Sequence, residues 1–175
     1  METLDLFARG TEWTASKIPA AQGRLDAPTR LGGWNVRQLL NHLLDTQRSF
    51  LRAAQGEPAT PTPGDPPELI GDEPALEYEQ ARLATYHAYN DPDVLAVAAP
   101  TLGIAFVEHL IHGWDLAVAT DQDATMPPDL AQAAFELLDG RLGDDQRGPF
   151  FKPAVPVPPD ASAQAKLLAY AGREP

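Results

Sequence analysis

The 175-residue chain contains no cysteine. That removes disulfides, thiolate nucleophiles and Cys-ligated metals together, and any metal site must be built from His, Asp or Glu. Positive charge is also scarce: 13 Lys and Arg stand against 25 Asp and Glu, a formal net charge of -12. Nucleic acids and anionic membrane surfaces both ask for a basic footprint, so neither is an expected partner. The G-x-S-x-G, P-loop and G-x-G-x-x-G patterns are missing, and Gly32-Gly33 reads as a turn rather than a phosphate cradle. The start, METLDLFARG, lacks the basic and apolar regions of a signal peptide, which makes the cytoplasm the expected location. No apolar run of membrane-spanning length is free of ionisable groups.

What is there centres on residues 102–120, LGIAFVEHLIHGWDLAVAT. The stretch has helical length and is apolar almost all the way round, the pattern of a buried helix. Glu108, His112 and Asp115 nevertheless interrupt it, and at about 100° per residue they share one face. An unpaired buried carboxylate costs several kcal/mol, so that face needs a metal ion or a set of hydrogen-bonding partners.

The remaining chain reads as helices joined by Pro- and Gly-rich connectors. Residues 1–19 form a first helix, ended by Pro19. A second runs from the N-cap Asn35 to about Ala54, with Gln38 placed for a capping box and Trp34 and Leu39 for a hydrophobic staple. Residues 56–72 carry five prolines and read as a lid, a wrap or a mobile insert. A third helix follows Asp72 to about Asn90, with thin apolar content. After residue 120, Asp129 caps a helix ended by Gly140, and a short last helix holds Leu167, Leu168 and Ala171. Strand signals are confined to 94–99 and 153–157. The expectation is one all-α domain over 1–175: a four-helix bundle over about 1–120 and a helical extension over 121–175.

Glu108 and His112, four residues apart, can offer two ligands to one metal, or form a local salt bridge. His42, in the middle of the other strongly patterned helix, is the natural third ligand, lying on a polar flank with Asn35, Thr46 and Ser49. Asp115 either orients His112 through its second ring nitrogen or caps a backbone group. His109 points about 100° away, toward solvent or a supporting position, and His87 reads as exposed.

The segments TRLGGWNVRQLLNHLL and EHLIHGWDLAVAT resemble the DinB-like helical bundle superfamily, and more closely the actinobacterial metal-binding proteins related to the N-terminal domain of mycothiol-dependent maleylpyruvate isomerase. Ten arginines against three lysines suit such a high-GC source. The resemblance implies a four-helix bundle and a divalent ion, zinc typically, on His42, Glu108 and His112. It also implies mycothiol as a cosubstrate thiol, and isomerisation or thiol transfer on a small molecule. Relatives with three histidines have His where this chain has Glu108. The isomerase carries a further domain that contributes to its active site, so the ion site transfers better than the activity. The alternative is a non-catalytic, metal-stabilised module binding a small ligand, and a homodimer is compatible with either.

Overall fold

The computed structural model describes residues 2–58, 64–141, 147 and 152–174. The chain divides into two compact units, Met1–Ala124 and Thr125–Pro175. Among the described residues the secondary structure is helical, with no strand and one isolated antiparallel bridge between Pro28 and Asn35.

The first unit is a four-helix bundle of α1 (Thr3–Ala15), α3 (Val36–Ala54), α4 (Pro74–Tyr89) and α5 (Pro92–Ala119); α2 (Ile18–Ala21) and a 3-10 turn (Gln22–Arg24) continue the chain after α1. Helix α5 packs on α1 and α3, and α4 closes the ring by packing on both. The predicted first helix is thus two. The break falls at Ser16-Lys17, and Pro19 sits in the first turn of α2, where its missing N–H costs nothing. Helix α3 begins where the sequence says it should: Gln38 N–H donates to Asn35 Oδ1 at 3.0 Å, and Asn35 N–H donates to Gln38 Oε1 at 3.0 Å. Helix α4 starts one residue later than read, at Pro74 after Glu73, and Asp72 does not cap it.

Helix α5 is longer than its apolar core. It starts at Pro92 behind the cap Asp91, so the strand-like residues 94–99 are helical. Pro100 sits inside it. The ring deprives the Ala96 carbonyl of its N–H partner, and both residues are exposed, so water can serve that carbonyl. By length and composition α5 is apolar enough to cross a membrane. Its C-terminal half is instead the core of the bundle, with Leu102, Phe106, Leu110, Ile111 and Leu116 buried against the other helices. Each such side chain contributes about 1.5–3 kcal/mol on leaving water.

The α1–α5 approach is close because small residues stand at the crossing. A Cβ on Gly10 would lie 2.6 Å from the Phe106 ring, and one on Gly113 would lie 2.5 Å from Thr14 Oγ1. Thr14 Oγ1 donates to the His109 carbonyl at 2.8 Å, tying the two helices at the same level.

In the second unit α6 (Pro128–Leu138) packs on α7 (Ala163–Tyr170). Asp129 lies in the first turn of α6 rather than at its cap, which is Pro127. Residues 153–157 do not form a strand; Val155 N–H donates once, to the Ala169 carbonyl at 2.9 Å. Gly172 has φ +77°, and a Cβ there would collide with the Lys152 carbonyl. Residues 148–151, just ahead of that segment, lie outside the described residues.

Gly10→Val tests the crossing. Overpacking against Phe106 should cost about 1–3 kcal/mol, seen as a lowered Tm by calorimetry. Gly23→Ala, in open space, should move stability by no more than about 0.5 kcal/mol. Equal effects at the two positions would show that the α1–α5 contact is not close.

Candidate metal centre

Helices α3 and α5 bring His42, Glu108 and His112 together. One ligand atom from each lies within 4.8 Å of the other two. His42 Nε2–H donates to Glu108 Oε1 at 3.1 Å across the two helices. His112, one turn beyond Glu108, donates through Nδ1–H to Asp115 Oδ2 at 3.0 Å. Because a carboxylate can only accept, Nδ1 carries the proton of that bond, and in the neutral ring Nε2 is then the nitrogen with a lone pair to offer. The His42 and His112 rings meet edge to face at 4.8 Å between centroids.

The pocket is enclosed but not sealed. The His42 and Glu108 side chains keep 12% and 20% of their surface exposed, whereas the Asp115 side chain keeps none. The Trp34 ring backs the His42 imidazole, with centroids 5.1 Å apart. Trp34 therefore serves the site as well as the start of α3.

Electrostatics keep Glu108 ionised. Burial alone would raise its pKa, but the hydrogen bond from His42 and the charge that ring carries outweigh it and hold the carboxyl at about 2. Among the described residues no Lys or Arg pairs with Glu108; His42 is its ion-pair partner.

The donor set can be tested against a cation. Two ligands bound to one zinc at ~2.0–2.2 Å lie ~3–3.5 Å apart, and the His42–Glu108 separation of 3.1 Å already falls in that range. The widest spacing in the group, 4.8 Å, closes by side-chain movement of about 1 Å. Two imidazoles, one ionised carboxylate and a carboxylate behind one imidazole make a donor set that fits zinc.

The structure decides between alternatives that the sequence left open at two places. His109 does not reach solvent. It is fully buried, its Nδ1 lies 3.3 Å from the Tyr78 hydroxyl, and burial pushes its pKa down to about 3, so it is neutral. The Pro-rich segment 56–72, as far as its described part from Gly64 shows, wraps along α3. The buried Asn41, next to His42, accepts from Leu69 N–H at 2.7 Å and Ile70 N–H at 2.8 Å. Trp34 Nε1–H donates to Asp65 at 3.2 Å from the other end. Asn41 carried no signal in the sequence, because its role depends on a loop arriving from 28 residues away. His87 is exposed, as read.

Residues 7–96 match the family model described as the mycothiol maleylpyruvate isomerase N-terminal domain. The matched span includes His42 and ends before Glu108 and His112. Two curated proteins of Mycobacterium tuberculosis, "Uncharacterized protein Rv0738" and "Uncharacterized protein MT0763", are each 24% identical over 162 residues, covering 86% of this chain and 85% of their own length. No solved structure matches the chain at comparable significance. A match across half of the chain, on a helical bundle of the expected kind, places the protein in the mycothiol maleylpyruvate isomerase N-terminal domain family.

Proposed function

We propose that the protein holds one divalent cation, zinc by the chemistry of its donors, on His42, Glu108 and His112, and uses it in thiol-dependent isomerisation or thiol transfer on a small molecule. The observation that carries this reading is the convergence of the three donors from two helices, with one ligand atom of each within 4.8 Å of the others. A zinc ion bound there would supply the positive charge that lets a thiol lose its proton near neutral pH.

The chain's own residues have separable tasks. His42, Glu108 and His112 bind, and three protein ligands leave room for a further one, the arrangement of catalytic rather than structural zinc. Asp115 holds the His112 ring so that Nε2 faces the site. Trp34 covers His42 and limits water on that side. The chain has no cysteine, so no thiolate of its own competes for the open position. The thiol comes from outside, and the family description points to mycothiol.

One observation favours a second reading. The family match is to an N-terminal domain and ends at residue 96, which suits a metal-stabilised module that binds a small ligand without transforming it.

Elemental analysis of protein purified without chelator should give about one zinc per chain. His42→Ala and His112→Ala should each lose stoichiometric metal, and Asp115→Asn should weaken binding about 10–100-fold. A His42→Ala, His112→Ala double variant that kept one zinc at unchanged affinity would refute the assignment.

Thiol chemistry has its own test. In the cobalt-substituted protein, mycothiol or a simple thiol should produce a sulfur-to-metal charge-transfer band. An unchanged spectrum at saturating thiol, with cobalt still bound, would favour the binding module.

A further inference from the structure

The face of α5 that carries the donors does not end at Glu108. Counted back at about 100° per residue, Ile104, Thr101, Pro100 and Val97 fall within about 80° of Glu108. At 1.5 Å per residue they form a strip about 16 Å long that ends at the site. Exposure falls from Val97 (83%) through Ile104 (60%) to the Glu108 side chain (20%), and His112 is buried.

Such a strip is out of place on the solvent side of a helix. No residue from Val94 to Val107 is charged, although Ala96, Val97, Pro100 and Ile104 are exposed. An exposed helix face is ordinarily polar, and a contiguous apolar patch marks a place where something else binds. A second copy of the chain is a poor candidate. A stable interface buries about 800 Å² on each partner, far more than two large apolar side chains and a proline supply. Each copy would also bring a net charge of -12 to the other. A small molecule already held at the site needs only a narrow strip.

We propose that the strip holds the apolar tail of the substrate, and that the substrate is an amphiphile: a metal-binding polar head on an uncharged, flexible alkyl or acyl chain. The proposal rests on the metal centre argued above. The head enters where His42 and Glu108 keep some exposure. The tail then runs back along α5, past Ile104 about 6 Å from the level of Glu108 and Val97 about 16 Å from it. A negatively charged tail would run toward Asp93 and Asp91 at the start of the helix and be repelled there.

The test is a series of hydroxamic acids, whose head group chelates zinc, titrated calorimetrically into the full chain purified without chelator. Acetohydroxamate reports the ion alone. Hexanohydroxamate should bind at least about tenfold more tightly, and decanohydroxamate more tightly again, since each methylene leaving water strengthens binding up to about fourfold. Ile104→Gln should remove most of the gain for both longer acids, and Val97→Gln only the further gain of the decanoyl chain. Both positions are exposed, so neither change touches the core, and acetohydroxamate should bind each variant as it binds the parent. Equal affinity across the series, with acetohydroxamate bound, would overturn the tail site and leave the metal centre standing. So would a gain that neither substitution reduces, or a dimer that Ile104→Gln dissociates, which would give the strip to a second copy. Failure of every acid to bind would overturn it too, and the zinc content of the same sample tells whether the metal centre falls with it.

Discussion

The contact between His42 on α3 and Glu108 on α5 is the constraint around which the bundle is arranged. Helix α5 is apolar on nearly every side, so a carboxylate in its middle needs compensation from another element. No Lys or Arg among the described residues supplies it. The imidazole of His42, 3.1 Å away, does, and the residual exposure of the pair lowers the cost of burying it. For that contact to form, α3 must enter the bundle at one rotation and one height. The Asn35–Gln38 capping box fixes its first turn, and Trp34 and the wrapped segment around Asn41 hold the flanks of His42.

The opposite side of α5 answers to a different demand. Gly113 and the ring of Phe106 meet α1 at Thr14 and Gly10, where small residues let the backbones approach. One helix therefore combines a tightly packed side with a polar side that keeps some access to solvent. Tight packing on one side supports precise placement of ligands on the other, because a helix that cannot rotate cannot misdirect Glu108 and His112. His109 lies between these two sides, neutral and fully buried, and contributes to packing and to the Tyr78 contact instead of the site.

The family match and the site divide the chain differently. Residues 7–96 contain most of α1, all of α3 and α4, and only the first residues of α5. His42 belongs to the matched part, and its two partners lie beyond it. Family membership thus accounts for the scaffold that presents His42. The donor set is completed by the specific placement of Glu108, His112 and Asp115 in this chain's own α5.

The sequence by itself determined the helical class, the start of α3, the burial of α5 and the sharing of one face by Glu108, His112 and Asp115. All of these follow from local rules of periodicity and capping, which act over one or two turns. It misplaced the start of α5 because Pro92 and Pro100 look like breaks. In the structure one occupies the first turn and the other the solvent side of the helix. It left His109 between solvent and a supporting position, because the angle from Glu108 is legible but the presence of α4 at that angle is not. Only the tertiary structure decided that His42 reaches Glu108, that Trp34 backs His42, and that Asn41 ties down a loop arriving from residues 69 and 70. Those contacts join residues far apart in the chain. Their geometry is set by how four helices settle their apolar faces together, a collective outcome that no local pattern encodes.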